Sequence, residues 1–319
     1  MISLSRFTVR SKIQKIKVTV SIDTECDHDP NWVRANPISF ESITEGVPNR
    51  LQIAFDAIGV IPTYLLTVEV MEDVECVEAL RALRGEYELG THLHAAFIEP
   101  QKKFQDYAGI DSPGFQCSYP EDIEYQKLAN LTNLFEQSFG YKPTSFRAGR
   151  YGANAMSLNN LQKLGYKVDT SVTPYIRWSE PNAEVDFRKA PEQPYFPAKD
   201  EIIIPGTYSD HRILEVPVTV KPRLLHRTPI WFRPWFASVS QMKDIVRYQL
   251  RKHADKEVVN INMMFHSMEV IEKASPYPQT AADVQEFIDN MIEGLEWCKL
   301  EGAEFCGLSA LHKTYRPTA

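Results

Sequence analysis

The sequence predicts a single α/β domain, a distorted (β/α) barrel of about seven strands. Three observations carry that expectation. Strand-like and helix-like segments alternate at least six times, which calls for parallel strands joined by right-handed helical crossovers. No internal repeat, low-complexity block or linker divides the 319 residues, 43% of them hydrophobic, and one barrel domain can run to roughly 250 residues. Polar side chains suited to chemistry also fall at the C-terminal ends of successive predicted strands, where barrels place their active sites. An open doubly wound sheet is the rival architecture. The domain is expected over residues 17–313, after an N-terminal extension 1–16, with Pro/aromatic insertions near 171–201 and 221–239.

The first strand lies in KVTVSIDTECDHD, Lys17 to Asp29, where Val18, Val20 and Ile22 alternate with Thr19 and Ser21 before Pro30 ends the pairing. Pro48 opens a helical pattern through Leu51, Phe55 and Ile58 that stops at Gly59. Val60 to Leu66 reads as a strand, Asp73 to Leu83 as a helix and Tyr87 to His94 as a strand. Ala95 to Pro120 lacks periodicity and is long for a structureless loop, a length that usually signals function. A helix follows to Phe139, closed by Gly140, then a strand into FRAGRYG, a helix at Asn154 to Leu164 and a strand reaching Asp169. After the first insertion, Ile202 to Ile204, Ile213 to Val220 and Val258 to Phe265 read as strands. Helices are expected at Ser240 to His253, Ala281 to Leu300 and Ser309 to His312, with a last strand at Glu304 to Cys306.

Composition narrows the partners. A net charge of −7, with no Lys/Arg block, argues against nucleic acid and anionic membrane surfaces. No apolar run approaches the ~18 residues of a membrane span. The basic N-terminus has no apolar core of a secretory signal, so the expected location is cytoplasmic. Five scattered cysteines, none in a CxxC, indicate neither a disulfide framework nor a thiolate zinc site.

The strand exits carry Asp23, with Glu25 and Asp27 beyond it, then His92 and His94, Arg147, Asp169 and His266. His92 and His94 stand at i, i+2, so both imidazoles leave an extended segment from one face. With a carboxylate from a neighbouring strand they suit a divalent first-row metal that keeps positions open to water. Taken alone, the HxH pair better suits two hydrogen-bonded structural histidines, and the acidic run suits a solvated loop as well as a site. Arg147 needs a partner if buried, because a guanidinium cannot shed its charge; Asp23 is the candidate. Asp169 is either a turn cap or a site residue. Trp231, Phe232, Trp235 and Phe236 suit core or lid packing, though flanking prolines favour a rigid loop.

In this order the motifs resemble those of the NodB-like polysaccharide deacetylases, carbohydrate esterase family 4, over about Lys17 to Leu311. The resemblance implies Asp23 of SIDTECD as general base and the two histidines of GTHLHAAF, His92 and His94, as metal ligands. It implies Arg147 of FRAGRYG as the residue that holds the base, with Tyr151 lining the groove. Asp169 of VDTS would tune the acid, and His266 of MMFHS would be that acid. Trp231 and Trp235 are further candidates for substrate contact. Two departures stand out: Thr24 replaces the second of two adjacent aspartates, a family metal ligand, and the histidine pair is spaced i, i+2 instead of i, i+4. The third ligand then falls on Glu25, with Asp27 next; alternatively Asp23 is the ligand and Glu25 the base. The pattern is similar to the divergent WbmS-type branch associated with bacterial surface polysaccharide loci. The expected function is metal-dependent removal of N-acetyl groups from an amino sugar of a surface polysaccharide or its precursor, with Zn2+ first and Co2+, Ni2+ or Mn2+ as alternatives. The rivals are another metal-dependent C–N hydrolase on the same scaffold and an inactive carbohydrate-binding homologue.

Overall fold

A computed structural model describes residues 14–181, 183–223 and 228–315. Eight strands build the main sheet: β1 (Lys15–Thr24), β2 (Pro62–Leu66), β3 (Glu88–Leu93), β4 (Ser145–Ala148), β5 (Val168–Asp169), β6 (Leu214–Glu215), β7 (Val258–His266) and β8 (Glu304–Phe305). Seven follow one path, β6-β5-β4-β3-β2-β1-β7, and every pairing is parallel. The eighth, β8, pairs with Lys17 and Val18 of β1, below the Val20–Thr24 stretch that pairs with β2. Because β1 enters at Lys15, Ile16 is already a strand residue, and of the expected extension 1–16 the first thirteen positions lie outside the described residues.

The two faces of β1 show how the sheet curls. Val18, Val20 and Ile22 join the main apolar core. Thr19 and Ser21 point into a second, polar interior, where both hydroxyls donate to Asn262 Oδ1 of β7 (3.1 and 3.0 Å). The Asn262 amide in turn donates to Thr170 Oγ1 (2.9 Å) and, at 3.3 Å, to Val216 O. The ends of the sheet meet without a continuous ladder: Thr219, beyond β6, donates its N–H to Asn262 O (3.0 Å) and accepts from Asn262 N–H at its hydroxyl (2.8 Å). Buried polar groups in a low-dielectric interior stay only if paired. Here they form the seam of the half-barrel.

Helices cover the outside as expected, with Gly59 (φ 76°) and Gly140 (φ 80°) in left-handed stops that a Cβ would strain. One boundary moves. The helix read from Pro48 begins at Ser42 and winds through Leu51 as a wider π-type turn before Gln52–Ile58. Its start is held from a distance: Asp27 accepts from Ser39 Oγ and Glu41 N–H on one oxygen and from Ser42 N–H on the other. That cap lies fifteen residues upstream of Ser42, outside any local signal.

The 95–120 segment is irregular apart from short 3-10 turns at Ala95–Phe97 and Gln116–Ser118. Lys127, on the helix Glu121–Phe139, ties its start down by donating to Ala95 O (2.7 Å) and Ile98 O (2.6 Å). The insertion near 171–201 holds the antiparallel hairpin Arg177–Glu180/Ala183–Asp186. The insertion near 221–239 pairs Val220–Lys221 with Ile230–Trp231.

Candidate active site

At the C-terminal edge of the sheet, β1, β3, β4 and β7 deliver their last residues to one cleft of about 420 Å³. Alternation explains the choice of side chains. Asp23 and Glu25 leave the same face of β1, whereas Thr24 between them turns away and bonds the Ile22 carbonyl (3.1 Å). His92 and His94 repeat the pattern at the end of β3, two strands away. Glu25 Oε1 lies 3.3 Å from His92 Nε2, and Glu25 Oε2 lies 3.2 Å from His94 Nε2. On the other side, His266 Nε2 stands 3.8 Å from Asp23 Oδ2 and 3.9 Å from Glu25 Oε1.

The residues behind this cluster fix its protonation. His92 Nδ1 lies 3.0 Å from the Arg147 carbonyl, which can only accept, so Nδ1 carries a proton and Nε2 faces Glu25; burial opposes the charged ring, but Asp23 and Glu25 raise its pKa. Burial presses the His94 pKa down to about 4 and keeps that ring neutral. Neither His94 nitrogen has a hydrogen-bond partner. Burial disfavours ionised Glu25, yet the two imidazoles beside it hold the carboxyl well below the usual range. Burial also opposes ionisation of Asp23, and there the Arg147 guanidinium together with the His92 and His266 rings outweighs it and lowers the pKa. Arg147 is fully buried and fully used: Nη1 donates to Asp23 Oδ1 (2.5 Å), Nη2 to Ser21 Oγ (2.6 Å) and Nε to Thr170 O (3.0 Å).

Glu25, His92 and His94 therefore bring a carboxylate and two imidazole nitrogens to one point, the carboxylate oxygens 3.3 and 3.2 Å from the two nitrogens. A divalent cation answers that donor set. A second grouping, Asp23, Glu25 and His266, shares Glu25 with the first.

No protein-family model matches the sequence, and no curated protein matches it. Solved structures do match in shape. A protein from Mycobacterium smegmatis assigned as a polysaccharide deacetylase superposes at TM-score 0.52 and 16% identity, covering 96% of each chain. A probable polysaccharide deacetylase from Pseudomonas aeruginosa PAO1 gives 0.55 at 13% identity, over 95% of this chain and 93% of that one. A protein from Parabacteroides distasonis assigned as a glycoside hydrolase/deacetylase gives 0.61 at 12% identity, over 95% and 71%. The chain has the polysaccharide deacetylase fold.

On that fold the expected residues divide. Asp23, Glu25, His92, His94, Arg147 and His266 meet at the cleft floor. Tyr151 and Trp231 line the wall, joined by Trp178 of the first insertion, which stacks on Tyr151 (centroids 5.1 Å apart, 23° between planes). Trp235 does not reach the cleft; its indole stacks between Tyr277 and Phe287. Asp27 is turned away as a helix cap and is no ligand candidate.

Asp169, expected to tune the acid, bonds Ser171 Oγ (2.8 Å) and shares a buried pocket with Glu215. Burial, and for Glu215 the neighbouring carboxyl, raise both pKa values. The carboxylate at His266 is instead Glu269, whose Oε1 lies 3.0 Å from Nδ1.

Besides Trp178, the sequence motifs missed Arg34, Arg233 and Glu269. Arg34 reaches Glu25 Oε2 (3.3 Å) across the Phe97 ring from an aperiodic loop, and Arg233 lies in the second insertion; neither leaves a local signal. Glu269 does: a carboxylate three residues after a strand-ending His266 has capping-box spacing, and its Oε1 accepts the His266 backbone N–H (2.9 Å).

Proposed function

We propose that the protein is a metal-dependent deacetylase that removes an N-acetyl group from an amino sugar of a polysaccharide or its precursor. The observation that supports this most is the placement of two proton-handling groups, Asp23 on Arg147 and His266 on Glu269, beside the Glu25–His92–His94 donor set. Amide hydrolysis needs that layout, because an amine leaves poorly unless it is protonated.

Glu25, His92 and His94 would hold a divalent ion, Zn2+ first. Bound there, it would polarise the acetyl carbonyl and lower the pKa of water, to ~7 in zinc sites. Asp23 is the base. Arg147 occupies its Oδ1 and keeps it ionised, which leaves Oδ2 facing the cleft to take a proton from the attacking water. His266 Nε2 gives a proton to the departing nitrogen. Tyr151, Trp178 and Trp231 offer flat apolar faces on which a sugar ring stacks.

Elemental analysis of protein purified without chelator, together with acetate release from a panel of N-acetylated sugars, sugar nucleotides and cyclic ureides, tests the reading. Stoichiometric metal and acetate from the amino sugars are expected. Metal without acetate, but with ureide cleavage, would move the protein to another C–N hydrolase activity. No metal and no turnover would leave a binding protein.

A further inference from the structure

We infer that Glu269, clamped by Arg233, is the positioning residue that sets the tautomer and aim of the His266 ring; this rests on the deacetylase reading, in which His266 protonates the leaving amine. Three contacts converge on the Glu269 carboxylate. Its Oε1 accepts from His266 N–H (2.9 Å), meets His266 Nδ1 (3.0 Å) and is gripped by Arg233 Nη2. Glu269 is fully buried, and Arg233 is nearly so.

The tautomer follows from distance and charge. Nδ1 has two neighbours: the Glu269 oxygen at 3.0 Å, which can only accept, and Arg233 Nη2 at 3.3 Å, which can only donate. The shorter contact, to the charged acceptor, decides the matter, so Nδ1 carries a proton and donates. Nε2 is thereby aimed at Asp23 and the cleft, where it lies 3.8 Å from Asp23 Oδ2. The exchange balances on the ring when His266 starts doubly protonated. As the C–N bond breaks, its electron pair stays on nitrogen, which takes the Nε2 proton, and the imidazolium becomes the neutral tautomer whose Nδ1–H Glu269 holds.

Arg233 makes this arrangement specific. A buried carboxylate beside an imidazole has a strong pull on the proton itself, and the guanidinium takes up part of that charge. Arg233 is in turn held against the Phe236 ring (4.6 Å to the centroid) and the Tyr277 ring (5.3 Å). The second Pro/aromatic insertion thus supplies a clamp for the acid as well as Trp231 for the wall.

The test uses leaving-group dependence in zinc-loaded, full-length protein. Glu269→Gln should lower kcat on an N-acetylated chitooligosaccharide by about 100-fold with KM unchanged. It should leave hydrolysis of 4-nitrophenyl acetate, whose phenolate departs unaided, near wild type. Glu269→Asp should restore part of the loss. Nitrogen-15 spectra of the imidazoles should show the His266 Nδ1 proton in the wild type and its redistribution in Glu269→Gln. Because the single change strands Arg233, the double variant Glu269→Gln/Arg233→Met, which removes both charges, should show the same selective loss. Equal loss on both substrates, or an unchanged ring spectrum, would overturn the inference. A wild type inactive on both substrates would sink the deacetylase reading alone, leaving the ring spectrum to decide for or against Glu269.

Discussion

Gly149→Ala is the sharpest probe of the histidine pair, because it acts on His94 without touching a donor atom. A Cβ built on Gly149 would lie 2.6 Å from His94 Nδ1 and 2.6 Å from the Leu93 carbonyl oxygen. Ordinary carbon contacts begin near 3.5 Å, so the overlap approaches 1 Å on both sides. The Leu93 oxygen belongs to the backbone of β3 and cannot swing aside, so most of the displacement falls on the imidazole. Relief by overpacking strain costs about 1–3 kcal/mol in stability. The larger effect is expected on the ion: turning a ligand ring away lowers metal affinity by roughly 10–100-fold, or about 1.4–2.7 kcal/mol. Competition of the purified protein against a chromogenic chelator for Zn2+ measures this directly, with His94→Ala as the reference for complete loss. Urea unfolding of both metal-free proteins separates a stability effect from a binding effect. If Gly149→Ala bound Zn2+ as tightly as the wild type while remaining folded, His94 would not be a ligand in the arrangement described.

Three further outcomes are expected. Arg147→Met strands the buried Asp23 carboxylate and should destabilise the fold by about 3–5 kcal/mol in urea unfolding; no loss would mean that Asp23 is not held by this pair. His266→Ala should leave Zn2+ stoichiometry intact while lowering kcat on an N-acetyl sugar by roughly 10²–10⁴-fold; near wild-type turnover would remove His266 from the acid's role. His211 is buried outside the lining of the cleft, accepts Ile213 N–H at Nδ1 (3.2 Å) and has its pKa pressed by burial to about 4. Its folded value lies below the unfolded one, so the unfolded chain takes the proton first and stability falls as pH drops from about 6.5 toward 4, by up to ~3 kcal/mol. His211→Asn, which preserves the acceptor, should flatten that part of the urea-midpoint profile; identical profiles would refute it.

How much of this the sequence carried depends on whether a residue's job is local. Strand and helix periods are local, and the alternation in β1 was legible because a strand fixes which side chains share a face. The glycine stops at Gly59 and Gly140 were legible for the same reason. The start of the helix at Ser42 was not, because Asp27 supplies its cap from another loop. The fate of Trp235 was equally hidden. The pattern PIWFRPWF marks a rigid aromatic segment, but whether an indole faces the cleft or Phe287 depends on a helix fifty residues further on.

The same distinction accounts for the two departures from the family's motifs. A ligand set is specified by where lone pairs meet, not by spacing along the chain. Thr24 occupies the position of an expected ligand, but a side chain there turns off the cleft face, while Glu25 one residue later returns to it beside Asp23. The i, i+2 histidines answer in kind, since His92 and His94 leave the end of β3 toward the two oxygens of one Glu25 carboxylate. Under the proposed ligation, a longer acid at the third position and a closer histidine pair compensate each other. Glu25→Asp separates this account from simple loss of a ligand. The side chain shortened by one methylene should no longer reach both imidazoles, and Zn2+ affinity should fall by roughly 10–100-fold. Thr24→Asp added to Glu25→Asp should not restore it, because residue 24 points the wrong way. Recovery of tight binding in that double variant would show that the first motif binds metal through residue 24 after all.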